Sequence, residues 1–246
     1  MLTKMKVALV AAAVAMSTSA TAETIDVMML YTAPAKNASG NIGTKINQYI
    51  SHANRIYRNN DLNVTLRVSY QGQASSSNLT PTEGTLNALT NSSSIRNARA
   101  SSKSDMVVLL GKREVLSNGY VCGIGWVGQG NNGTMYSSMK DRMYSVTAVD
   151  CAATTFVHEL GHNMGLGHSK AQGSVGGVYN DGIGHGVNNN FSTIMAYPQA
   201  FGSATRLDYF SDPSWSGCNG QPCGVWGVSN SWKTVNAVRD DVSKWY

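Results

Sequence analysis

His158-Glu159-Leu160-Gly161-His162-Asn163-Met164-Gly165-Leu166-Gly167-His168 places three of the chain's five histidines and a carboxylate within one short run. Residues four apart on an α-helix share a face and lie about 6 Å apart along its axis, so His158 and His162 can grip one ion. Glu159 points away from that pair, far enough to miss the ion yet close enough to reach water beside it, which makes it the expected general base. Were the helix to continue, His168 would sit about 9 Å along the axis from His162, too far for nitrogens that share a zinc at about 2.1 Å. The helix must stop between them. Gly165 suits a left-handed, helix-ending conformation and Gly167 keeps the next turn permissive, so the chain can double back and deliver His168. HExxH alone also occurs by chance in proteins without metal, and the third histidine and the glycine are what separate this run from that case. Three protein ligands leave one coordination position open, the arrangement of catalytic rather than structural zinc. One catalytic Zn²⁺ is the expected cofactor.

Working outward, Asp150 is the expected cap of this helix, with Cys151 to Met164 as its body. Gly161 inside it is unfavourable by up to about 1 kcal/mol relative to alanine and is expected to permit close packing. Upstream, Thr24 to Tyr31 reads as a central strand, and apolar residues recurring from Ile42 to Tyr57 mark an amphipathic helix ending near Asn59-Asn60. Val64, Leu66, Val68 and Tyr70 alternate with polar neighbours as a strand buried on one face, and Gln71 to Thr82 reads as a polar loop. A weaker helix is expected over Ser92 to Ala100, and further strands over Asp105 to Leu110, Gly119 to Val127 and Met143 to Val149. Gly173 to Asn190 reads as loop. Trp232, Val235, Val238, Val242 and Trp245 form the apolar stripe of a C-terminal helix.

The N-terminus has Lys4 and Lys6, an apolar stretch from Val7 to Met16, and Ala20-Thr21-Ala22, which reads as a secretory signal peptide over residues 1–22 cleaved after Ala22. About ten apolar residues are too few to span a bilayer. The rest of the 246-residue chain suffices for one large domain or two tightly packed subdomains. The expected division is an N-terminal subdomain over about 23–168 and a C-terminal subdomain over about 169–246. The formal charge of +5 falls by two when Lys4 and Lys6 are removed, and no Lys/Arg cluster remains, so neither nucleic acid nor membrane is an expected partner. Four cysteines in an exported chain point to two disulfides. Cys218 and Cys223 enclose a turn-like loop, which leaves Cys122 for Cys151 and would tie the start of the motif helix to the segment before it. Cysteine metal ligation lacks the C-x-x-C spacing.

The motif, together with Thr193-Ile194-Met195-Ala196-Tyr197 further on, resembles the metzincin zinc endopeptidases, in which HExxHxxGxxH is followed by a methionine-containing turn. The opening strand and Phe210-Ser211-Asp212-Pro213 are similar to reprolysin-like bacterial enzymes, among which the peptidyl-Asp metalloendopeptidases are the nearest group. The resemblance implies an α/β (α+β) fold: a twisted mixed sheet with two long helices, then a small irregular part carrying the Met-turn and a C-terminal helix. It implies that Met195 forms an apolar floor beneath the metal, against the plainer account of an Ile-Met pair in the core. It also implies that Tyr197 ligates zinc or stabilises the transition state, as the tyrosine of astacins and serralysins does, with ordinary packing as the competing account. Ser169 departs from the reprolysin pattern, which has Asp after the third histidine.

The function implied is a secreted, zinc-dependent endopeptidase, extracellular or periplasmic, acting as a monomer on a protein or peptide substrate. The expected strand at Thr24 follows the cleavage point directly and leaves no room for a pro-segment, so a separate protein inhibitor, or a host that tolerates the activity, is expected in its place. Two alternatives are a zinc-bearing peptide- or matrix-binding protein without turnover and a zinc hydrolase of a non-peptide amide. Calcium stays open, since the Tyr179 to Asp181 loop matches no calcium-loop spacing. His52 and His185 fit no site.

Overall fold

A computed structural model describes residues 22–76 and 79–246; all of the expected signal peptide except Ala22 lies outside them. The chain opens with β1 (Glu23–Tyr31), a short helix α1 (Ala33–Ala38) and the long helix α2 (Ile42–Asn59). Then come β2 (Val64–Gln73), α3 (Glu83–Asn91), α4 (Ser93–Ser101) and β3 (Met106–Gly111). The short strand β4 (Gly123–Gly125), β5 (Tyr144–Ala148) and the motif helix α5 (Thr154–Asn163) complete the layer that carries the site.

The mixed sheet has the order β2-β1-β3-β5-β4. Its first three pairings are parallel, while β4 runs antiparallel to β5 at one edge. The central strand β3 reads MVVLLG and is buried at every position, as a strand covered on both faces must be. One face packs against α2 and α5, where Tyr49 and Phe156 meet with ring centroids 5.3 Å apart. The other is covered by Leu86 and Leu89 of α3 and Ile95 and Ala98 of α4.

Past α5 the chain is irregular apart from short bridges, including β6 (Gly167–Ser169) paired with β7 (Ile183–Gly184), and the closing helix α6 (Ser231–Val242). Val235, Val238 and Val242 of α6 join the same core as β1, α2 and α5. Cys122 is bridged to Cys151 and Cys218 to Cys223. Among the described residues, no helix is long and apolar enough to cross a membrane.

Several boundaries differ from the sequence reading. The motif helix starts at Thr154, and its N-cap Ala153 makes no side-chain capping bond. Asp150 is engaged elsewhere, accepting from the Arg113 backbone N–H at 2.9 Å and pairing with Lys112 at 3.2 Å. The strand β2 runs on to Gln73, past the expected loop start, because the nine-residue β1 offers it partners as far as Tyr31, with a register shift after Val27. The segment 119–127 is divided into a hairpin arm (Gly119–Val121) and β4 on either side of Cys122. Helix α3, which the sequence reading left unassigned, is capped by Thr82, whose hydroxyl accepts from the Thr85 N–H.

Candidate metal centre and cleft

Helix α5 ends in a Schellman arrangement. Leu166 N–H donates to Gly161 O at 3.0 Å and Gly165 N–H to His162 O at 2.9 Å, with Gly165 at φ +87°. A side chain at Gly165 would be strained by that φ and would also meet Val178 Cγ2 at 2.6 Å. The reversal turns Leu166 O back toward the helix, where it accepts from His162 Nδ1 at 2.8 Å. His168 follows in β6, its N–H held by Ser174 Oγ at 3.0 Å.

The turn Thr193–Tyr197 comes from the far part of the chain and is tied in by its backbone. Thr193 exchanges hydrogen bonds with His185, and Ile194 N–H donates to Tyr209 O. Ile194 O in turn accepts from His158 Nδ1 at 2.8 Å. With both Nδ1–H groups committed to carbonyls, the Nε2 atoms of His158 and His162 carry lone pairs. These point at His168 Nε2, at 3.2 Å and 3.1 Å. Nitrogens each about 2.1 Å from a shared tetrahedral ion lie about 3.4 Å apart, close to these separations. Burial holds all three imidazoles below their usual range, with repulsion from neighbouring rings adding to it at His158 and at His168, the latter at about 4, so the donors are neutral. The residues therefore fit a zinc ion: three uncharged nitrogen donors, two with their rings oriented by backbone carbonyls.

Met195 is fully buried against α5. A Cβ on Gly161 would lie 2.6 Å from its sulfur, so the glycine inside α5 is what lets the turn approach the helix. The Tyr197 ring stands 4.5 Å from that of His168 and 5.8 Å from that of His158 and remains half-exposed. Burial, reinforced by Glu159, raises its hydroxyl pKa, which keeps it a proton donor.

Glu159 lies against β4. A Cβ on Gly123 would fall 2.3 Å from Glu159 Oε1, so the glycine makes room for the carboxylate. Burial pushes Glu159 up to about 8, with Arg206 acting in the opposite direction. The far end of α5 is pinned by Asn163, whose amide donates to Trp126 O at 2.9 Å and Tyr144 O at 3.1 Å. Glu159, His158 and Tyr197 open onto a cleft of about 750 Å³ that is also lined by Tyr120, Gly123, Pro198 and Arg206.

Three features around the site escaped the sequence reading. Gly123-Ile124-Gly125 carries a readable signal, since glycines alternating in a strand mark a close approach. Ser169 to Gln172 is a capping-box spacing, and the box is formed. Gln172 Oε1 accepts from Ser169 Oγ at 2.7 Å and from Tyr197 N–H at 3.0 Å, so Ser169, where the reprolysin pattern has Asp, connects the third histidine to the tyrosine through one amide. Arg206 has no local signal at all. His52 sits on α2 beside Arg55, and the His185 ring packs on Phe191 at 5.8 Å; neither faces the cleft.

A family model described as metallo-peptidase family M12B, reprolysin-like, matches residues 18–228. The chain is 34% identical over 251 residues to the peptidyl-Asp metalloendopeptidase of Pseudomonas aeruginosa, an alignment covering 95% of this chain and 42% of that protein. It thus spans less than half the length of this curated relative. A solved structure described as a chaperone–substrate complex contains a chain of the same fold, with TM-score 0.69 and 18% identity over 91% of this chain and 36% of that one. With the histidine-bearing helix, its glycine-made reversal and the methionine turn beneath it, the matched span identifies this chain as a member of the reprolysin-like M12B metallopeptidases.

Proposed function

We propose that the protein is a secreted zinc endopeptidase in which His158, His162 and His168 hold the metal and Glu159 is the general base. The observation that carries this reading is the convergence of three Nε2 atoms on one point at the side of the cleft that His158 and the buried Glu159 line. Zinc bound there supplies Lewis acidity, which acidifies water and polarises a peptide carbonyl. Glu159, seated against Gly123, takes the proton from the attacking water at a carboxylate oxygen and returns it to the departing amine. Tyr197 donates from its hydroxyl to the oxygen on which negative charge develops. Met195 and Gly161 keep the floor of the site apolar and close-packed.

The Pseudomonas aeruginosa relative is named for peptidyl-Asp bonds, and we extend a preference for peptide bonds at aspartate to this chain. Export is supported by the two disulfides and by the signal-like run before Glu23. The division at about residue 168 fits the position of the cleft, which takes Glu159 from one side and Tyr197 and Arg206 from the other.

The test is casein hydrolysis by purified protein with and without a zinc chelator, beside Glu159→Gln. The variant is expected to retain one zinc per chain and to lose roughly 10²- to 10⁴-fold in turnover. Normal turnover by this variant, or a folded protein without stoichiometric zinc, would reject the assignment.

A further inference from the structure

Arg206 lies on the wall of the cleft that holds Glu159 and Tyr197. Its Nη2 donates to Ala196 O at 3.3 Å, and its buried Nε has no hydrogen-bond partner. Among the described residues no carboxylate forms an ion pair with it. The guanidinium is only partly exposed and feels the charge of Glu159 without pairing with it, and so incomplete a pairing in a half-dry wall is relieved by a ligand that brings its own negative charge. Its planar fork of donors matches a carboxylate, which can accept two parallel N–H bonds from it. Glu159 lines the same cleft but forms no ion pair with Arg206, which leaves the guanidinium's fork free for a carboxylate that enters the cleft.

We infer that Arg206 is a specificity-determining residue that receives a substrate carboxylate next to the scissile bond. The inference rests on the peptidase reading above and adds to it the side chain that selects the substrate. A carboxylate can come from an aspartate side chain or from a free chain terminus. The cleft chemistry is the same for both, and the experiment separates them.

Zinc-loaded protein is given two peptides, acetylated and amidated at their ends and identical except for one Asp replaced by Asn beside the cleaved bond. A third peptide carries Asn there and a free C-terminal carboxylate. The wild type is expected to prefer one carboxylate-bearing peptide over the neutral one by roughly 10- to 100-fold in kcat/KM, the range lost with a hydrogen bond to a charged group. In Arg206→Gln the ratio should fall toward 1. Arg206→Lys, which keeps the charge without the fork, should fall between.

A second readout needs no turnover. Calorimetry on Glu159→Gln protein should show tighter binding of the preferred carboxylate peptide than of the neutral one, and adding Arg206→Gln should remove the difference. A purely structural role, through the bond to Ala196, would lower stability and slow all peptides alike, leaving the ratio intact. A wild-type ratio near 1 in both carboxylate arms, or a preference that survives in Arg206→Gln, overturns the inference. If Arg206→Gln does not fold, Arg206→Lys decides, and an unchanged ratio there overturns it as well. Failure of the wild type to cleave any peptide counts against the peptidase reading instead, and the calorimetric comparison still judges Arg206.

Discussion

Glycines do as much as histidines to build this centre, because Gly123, Gly161 and Gly165 each mark a place where two parts of the chain approach closer than a Cβ allows. Gly123 is the clearest case. Adding one methyl group there would place carbon 2.3 Å from Oε1, 2.6 Å from Cδ and 2.7 Å from Cγ of Glu159, a residue only 4% exposed and so with little room to retreat. Gly123→Ala is therefore expected to turn Glu159 out of position while the three histidines, which lie on other contacts, stay in place. The expected outcome is a fall in kcat of tenfold or more, comparable with the cost of misplacing a catalytic group by about 1 Å, with one zinc per chain retained. Overpacking should reduce stability by about 1–3 kcal/mol. Zinc analysis beside steady-state kinetics checks it, and an unchanged kcat would mean that Glu159 does not depend on this strand.

Helix α5 owes its position to covalent and backbone ties more than to its own capping. Its start lacks a side-chain cap, yet Cys151 just before it is bridged to Cys122, the residue next to Gly123, so one disulfide links the helix that carries Glu159 to the strand on which Glu159 rests. Closing a 29-residue separation contributes about 3.6 kcal/mol in the chain-entropy account. The 5-residue separation of Cys218 and Cys223 contributes about 2.2 kcal/mol. Replacing Cys122 and Cys151 by serine should thus destabilise more in urea and also weaken zinc binding, whereas replacing Cys218 and Cys223 should affect stability alone. Equal zinc affinity in the two double variants would contradict the link. These ties also show what was legible beforehand. Helix α2 and strands β1 and β3 were readable because an apolar stripe or run reports burial directly. The reversal at Gly165 was readable from the distance His168 must travel. The true start of α5 was not, because Asp150 looks like a cap until Lys112 and Arg113, 37 or more residues away, claim its carboxylate. Arg206 was invisible for the same reason: its meaning lies in what surrounds it, and that is fixed only when residues 196 and 206 fold over the motif helix.

The parts of the chain before and after the motif share one core, since Ile25, Tyr57, Phe156, Met195, Phe210 and Val238 belong to a single buried cluster. Asn60, at the end of α2, is the polar clasp across it. Its side chain accepts from the Phe210 N–H at 2.9 Å and donates to Asp208 O at 3.1 Å, while its own carbonyl accepts from the Trp232 indole at 2.8 Å. Next to it the Tyr57 and Phe210 rings stack with centroids 6.0 Å apart. Asn60→Ala would leave the Phe210 N–H and the Asp208 carbonyl without these partners, at a cost of about 1–3 kcal/mol for each group that stays buried. Because the clasp joins segments that meet in one core, the loss should move the whole urea transition to lower concentration without changing its slope, as for a molecule that unfolds as a unit. Zinc at saturating concentration should raise the midpoint of both proteins alike, since none of the three histidines is hydrogen-bonded to Asn60. Tyrosine and tryptophan fluorescence followed beside far-ultraviolet circular dichroism checks this. Two separated transitions in the variant would show that residues after the motif fold independently of the sheet, and the shared core would then be a contact between two bodies.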